Sequence, residues 1–215
     1  MATPLPSEKD ALEEPGTERL LALSDGVVAI ALTLLVLQLK VPAVTDANKT
    51  SSVALYHDLA KGSPQLVSYL ISFYVIAVFW LIHHRVYRLL RGHREVIAWW
   101  NFGFLLTITL FPFSAALMGE FPDNSLAVIE FALNLLLANV VTTLVILVAR
   151  RRELFVRGAP PPLIQGMVSR GMAAAFVIVL SIPVAVVAPK YAPFVWLLLA
   201  VAPRFGDRWG SHREA

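Results

Sequence analysis

The sequence predicts an all-α polytopic membrane protein with six transmembrane helices per subunit, and three observations carry the prediction. The first is composition: 57% of the 215 residues are hydrophobic and only 15% are charged, with a mean hydropathy of +0.68, whereas about 25% of an ordinary soluble domain is charged. The second is a series of apolar runs near the roughly 20 residues that a helix needs to cross a bilayer. The third is the alternation of basic and nearly neutral connectors between those runs. The absence of cysteine removes disulfide and thiolate chemistry. The basic pI of 9.4 does not point to nucleic acid, because the arginines sit between apolar runs and form no surface stripe or recognised binding module.

In chain order, residues 1–18 carry Glu8, Asp10, Glu13, Glu14 and Glu18 against Lys9 and read as a polar cytoplasmic tail. A six-helix membrane domain is expected over 19–203, and a basic cytoplasmic tail over 204–215. The spans are placed at 20–39, 65–83, 96–117, 126–149 and 168–188, with a short sixth at 191–202 entered through Pro189 and Pro193. All but four of the 18 basic residues fall in the N-terminal segment, the connectors after spans two and four, or the C-terminal tail. The exceptions are Lys40, Lys49, Lys61 and Lys190. The positive-inside rule therefore puts both termini of a multi-pass membrane protein in the cytoplasm. No internal repeat is visible, which speaks against an inverted-repeat transporter.

Span one holds an aspartate, Asp25, in its first turns. An intramembrane carboxylate costs about 2.5–3.5 kcal/mol at the bilayer centre, so it is expected to have a partner and a function. On a wheel of about 100° per residue, Ile30, Leu34 and Leu37 form one apolar stripe with the Thr33 hydroxyl at its edge, while Ser24 and Asp25 lie on the back. Two readings of the stripe remain open on periodicity alone: lipid or bundle contact, and a ring of branched side chains about a symmetry axis that gates by dewetting. The back of the helix is more specific. Trp80, His83 and His84 near the end of span two, and Asn101 near the start of span three, lie at the depth of Asp25. We expect a buried network in which Ser24 and Asp25 bond to one or both histidines, Trp80 and Asn101, with Arg19 near the interface. Adjacent histidines point about 100° apart on a helix, so a metal site from His83, His84 and Asp25 is not expected.

The run Arg19-x-x-x-Leu23-Ser24-Asp25-Gly26, continuing through Ile30, Thr33, Leu34 and Leu37 to Pro42, resembles the first helix of the prokaryotic relatives of the lysosomal transmembrane potassium channel. The signature of that family is Arg-x-x-x-Phe-Ser-Asp. The likeness continues through Phe79-Trp80-x-x-His83-His84, Asn101, Phe111-Pro112-Phe113 and Gly119-Glu120; at position 23, Leu replaces the usual Phe. The resemblance implies six-helix subunits assembled as a homotetramer, with the first helices lining a potassium-permeable pore in the bilayer. It also implies Ile30 as the narrowest apolar layer, followed by Leu34 and Leu37, with Thr33 contributing to selectivity and Ser24 and Asp25 bracing the helix. Potassium and other monovalent cations would be permeant ions, and no cofactor is implied. The chain has no carbonyl filter loop and no arginine-periodic voltage sensor, so a modest preference for potassium over sodium is expected.

Among the other residues, Pro112, Pro183, Pro189 and Pro193 are expected to kink or end helices. Glu130, Asn134 and Asn139 are expected to bond to neighbouring helices or subunits, with ion binding the lesser alternative, and Trp99, Trp100, Trp196 and Trp209 to act as interfacial anchors. The spans hold no nucleophile–base pair and no spaced metal ligands, so an enzyme is not expected. The competing class is a proton-coupled secondary transporter working through Asp25 and His83 or His84.

Overall fold

The structure is a computed structural model that describes residues 15–91, 95–156 and 159–196. Helix α1 (Pro15–Leu35) runs into a 3-10 turn at Val36–Gln38, and the short helices α2 (Asp46–Thr50) and α3 (Ser52–Lys61) follow. The long helices α4 (Ser63–Arg88), α5 (Glu95–Glu120), α6 (Ser125–Arg151) and α7 (Pro161–Val187) complete the sequence, with a 3-10 turn at Pro189–Tyr191 and helical residues at 192–196. Among the described residues, α1, α4, α5, α6 and α7 are long and apolar enough to cross a membrane. The chain is thus an all-α polytopic membrane protein. Only the first turns of the expected sixth span are described; its remainder, the tail at 204–215 and residues 1–14 lie outside the described residues.

The helices are longer than the apolar runs that announce them. Helix α7 begins at Pro161 rather than near 168, because Pro161 and Pro162 occupy first-turn positions where a missing N–H costs nothing. Its early turns are then held by buried Ile164 and Met167. Helix α1 likewise begins at Pro15, inside the segment expected to be tail. The chain between α1 and α4, too polar and short to signal helix, is organised by caps. Thr45 and Asn48 form a reciprocal capping box, and the Asn48 amide donates to the Ala43 carbonyl at 2.9 Å and to Asp58 at 3.0 Å.

Helix α5 is central, packing on α1, α4 and α6, while α7 packs mainly on α6. Half of the apolar stretch of α5 and of α6 is buried within the subunit, against 28% for α1 and 17% for α7. Helices α1 and α7 are therefore edges, with faces left for lipid or for another copy. One core joins Val28, Ala31 and Leu35 of α1 to Ile76, Phe104, Ile108, Phe111 and Phe131. Trp196 belongs to this core rather than to the interface. It is buried, it stacks on Phe131 with centroids 5.1 Å apart, and its indole donates to Ser181 at 2.8 Å. Trp99 is exposed and Trp100 half-buried; Trp209 lies outside the described residues.

The two arginine-rich connectors meet at one end. Leu90 and Phe155 form an isolated antiparallel bridge, with the Arg91 N–H donating to the Leu154 carbonyl at 2.7 Å and the Val156 N–H to the Leu89 carbonyl at 2.9 Å. Glu153 adopts a left-handed backbone, φ 53°. Bonds from the Glu153 N–H to the Arg150 carbonyl (3.2 Å) and from the Leu154 N–H to the Ala149 carbonyl (2.9 Å) close α6 as a Schellman motif. At the opposite end, Lys40 pairs with Glu120 at 2.6 Å and Lys190 with Asp123 at 3.4 Å.

Candidate functional site

Helix α1 sits in the groove between α4 and α5, and Ser24 and Asp25 each face one of those helices. Adjacent residues on a helix diverge by about 100°, so Ser24 meets α5 while Asp25 meets α4. The Ser24 hydroxyl donates to the Leu20 carbonyl of its own helix at 2.8 Å. It accepts from the Asn101 amide at 3.0 Å. The Asn101 carbonyl oxygen lies 2.8 Å from His83 Nε2. One proton assignment satisfies all three contacts: His83 carries its proton on Nε2 and donates to Asn101, which donates to Ser24. Ser24 and Asn101 are fully buried and His83 nearly so. The imidazole is sandwiched between Tyr87 at 4.1 Å and Phe104 at 4.5 Å, which fixes its plane.

Of the partners expected around Asp25, one bonds to it. Its carboxylate accepts from the Trp80 indole at 2.7 Å, and neither histidine bonds to it. His84 instead packs against Trp80, the rings tilted by 32° with centroids 5.4 Å apart, and so holds the indole that holds the aspartate. Arg19 is exposed and stands apart from these bonds. Ser24, Asn101 and His83 thus form one chain, and Asp25, Trp80 and His84 a second. Together they fix the rotation of α1, since a turn of the helix would leave buried polar groups unpartnered.

That rotation leaves the stripe uncovered. Ile30 is 61% exposed, Leu34 44% and Leu37 75%, while Val28, Ala31 and Leu35 on the reverse are buried. Thr33 is also exposed; its hydroxyl donates to the Ile30 carbonyl at 2.8 Å, leaving its lone pairs outward. Three contacts were not anticipated from sequence. Gln38 donates to the Pro112 carbonyl of α5 at 2.6 Å, and Lys40 reaches Glu120, so the far end of α1 is tied down as well. Ser68 donates to the Ala115 carbonyl at 2.6 Å, where α4 and α5 approach so closely at Gly119 that an added Cβ would stand 3.1 Å from the Gln65 backbone. The other polar span residues bond between helices: Glu130 to Ser114 at 3.0 Å, Asn134 to the Thr107 carbonyl at 3.3 Å, and Asn139 to the Gly171 carbonyl at 2.9 Å. The described residues contain no group of three or more His, Asp or Glu side chains able to hold a metal ion.

Residues 19–112, which contain both polar chains and the stripe, match the family described as endosomal/lysosomal potassium channel TMEM175. The whole bundle also superposes on the crystal structure of a lysosomal potassium-selective channel TMEM175 homolog from Chamaesiphon minutus. That match has a TM-score of 0.73 and 27% identity and covers 86% of this chain and 95% of that one. Over residues 19–112 the chain is similar to the TMEM175 family. In sequence it is 38% identical over 112 residues to a potassium channel of Chamaesiphon minutus, covering 52% of this chain and 54% of that protein. It is 33% identical over 103 residues to a potassium channel of Streptomyces collinus, covering 48% of each. In sequence the chain therefore spans about half the length of these two relatives. A zebrafish relative named endosomal/lysosomal proton channel TMEM175 is 26% identical over 133 residues, 61% of this chain and 24% of that protein.

Proposed function

We propose that this chain is the subunit of a potassium-permeable cation channel, not an enzyme, and that α1 lines the conduit. One observation carries the reading: a helix anchored by buried polar bonds on one side leaves Ile30, Leu34 and Leu37 uncovered on the other. The fold it shares with a potassium-selective channel homolog and the names of its bacterial relatives support it. One stripe cannot enclose a path for ions, so the reading requires several copies about an axis; a homotetramer is the assembly proposed. Ile30 is then the narrowest layer, a ring that excludes water when closed. Leu34 and Leu37 extend the apolar wall. Thr33, with lone pairs outward, supplies the polar edge that favours potassium modestly over sodium. The arginine-rich end, where the two basic connectors meet, faces the cytoplasm of a prokaryotic cell by the positive-inside rule. Both termini lie on that side, in the plasma membrane.

The test is flux. Purified protein in liposomes with an outward potassium gradient should release potassium once a protonophore supplies counter-current. Ile30→Asn should raise the resting leak by wetting the ring. No potassium release from the wild type would reject the channel. The name of the zebrafish relative favours a second reading in which protons are carried. A pH dye inside the same liposomes separates the two, and saturable flux coupled to a pH gradient and lost in Asp25→Asn would support a proton-coupled transporter instead.

A further inference from the structure

The arginine-rich end carries a second feature that conduction does not use. Between the exit turn of α6 and the first turns of α7 lies a cleft of about 510 Å³, within the roughly 300–1,000 Å³ of small-molecule sites. Arg91 enters it from one connector and Arg150 from the last turn of α6, with Glu153 at the turn; Phe155 and Ile164 give it apolar walls, and Gln165 adds an amide. The site is built, because the Leu90–Phe155 bridge fixes the two connectors against each other and the Schellman motif fixes the turn bearing Glu153. Among the described residues, neither Arg91 nor Arg150 has a carboxylate within ion-pair reach, so two guanidinium groups outweigh the one acid.

We infer that this cleft binds the phosphate headgroup of an anionic glycerophospholipid. Guanidinium groups match phosphate oxygens in pairs of parallel hydrogen bonds. Basic pockets between transmembrane helices on the cytoplasmic side suit such headgroups. The apolar walls decide between lipid and free phosphate: a soluble anion gains nothing from Phe155 and Ile164, whereas the glycerol and first methylenes of a lipid cover them. Helix α7, with 17% of its apolar stretch buried in the subunit, leaves a lateral route for the acyl chains. Glu153 opposes the headgroup charge and sets the affinity below the maximum the cleft could reach.

The experiment uses the purified full chain in neutral detergent, titrated with dioleoyl phosphatidylglycerol and read by native mass spectrometry of lipid-bound protein. Parallel titrations use dioleoyl phosphatidylcholine and inorganic phosphate. Saturable binding is expected for phosphatidylglycerol alone. Arg91→Gln and Arg150→Gln should each weaken it about fivefold, as expected for loss of one interfacial basic residue. Glu153→Gln should tighten it, and Arg91→Lys should restore part of the loss. Melting temperatures measured without lipid show that the variants are folded. Equal binding of phosphatidylcholine, competition by millimolar inorganic phosphate, or wild-type binding by both arginine variants would each overturn the assignment. The readout is independent of ion flux, so its failure leaves the channel reading intact, and the reverse holds too.

Discussion

Replacing Asn101 by Leu tests whether the buried chain holds α1 in register. Leucine conserves volume, so little cavity is added and the cost is polar. Two interhelical contacts disappear, to Ser24 at 3.0 Å and to His83 at 2.8 Å, each worth about 0.6 kcal/mol in membrane proteins. Ser24 keeps its bond to the Leu20 carbonyl, but the His83 N–H is left buried without an acceptor, which costs about 1–3 kcal/mol. The sum is roughly 2–4 kcal/mol. Unfolding by sodium dodecyl sulfate in mixed micelles, followed by circular dichroism, measures it. Flux in liposomes should change in the same variant, because a released α1 rotates its stripe. Asn139→Ala is the control: it removes one interhelical bond, to Gly171, far from α1, and should cost about 1 kcal/mol while leaving flux unchanged. The reasoning fails if Asn101→Leu unfolds like the wild type, or if both variants alter flux equally.

Further outcomes are expected. Asp25→Ala removes the acceptor of the Trp80 indole and should destabilise the solubilised assembly by about 1.5–3 kcal/mol with little change in ion preference; unchanged stability with altered preference would contradict the bracing role. Trp80→Phe keeps the ring against His84 while deleting the N–H, and should reproduce most of that loss in the same unfolding assay. Glu153→Gly relieves a left-handed residue and should raise stability by about 0.5–1 kcal/mol in lipid-free detergent. The Asp58 carboxylate is held below its ordinary value of 3.8 by hydrogen bonds from Lys61 and Asn48. Its folded-state contacts are therefore complete above that value and are lost as pH falls through the depressed one. Hydrogen exchange over 46–61 should quicken only in acid below about pH 4, and Asp58→Asn should abolish the step.

The long helices were legible because an apolar run near 20 residues has few other solutions in this composition. Their ends were not. Charged and prolyl residues at the interface carry no apolar signal, so the seven residues by which α7 precedes 168 could be read only as a Pro-Pro start. The helices between α1 and α4 were hidden for a related reason: they are set by the Thr45–Asn48 box and the Asn48–Asp58 bond rather than by periodicity. At the site, depth along the spans brought Ser24, Asp25, Trp80, His83 and Asn101 to one layer. Pairing within the layer needed the azimuth of α4, which a single-helix wheel does not supply. That is why the sequence offers Asp25 the histidines, Trp80 and Asn101 together, while the fold pairs it with Trp80. Trp196 was read as an interface anchor because it lies near a span end; its indole has a buried partner in Ser181 that only the fold of the chain end supplies.

The central claim is that the exposed stripe of α1 faces a shared axis. The chain contains no cysteine, so a single Ile30→Cys variant reports without background. Copper phenanthroline in membranes should join its subunits into disulfide dimers, and a charged methanethiosulfonate should block its potassium flux. The control Val179→Cys, on the exposed face of α7, should show neither effect. An Ile30→Cys protein that stays monomeric, conducts normally after treatment and reacts only with a lipid-soluble reagent would place the stripe in the bilayer and contradict the account.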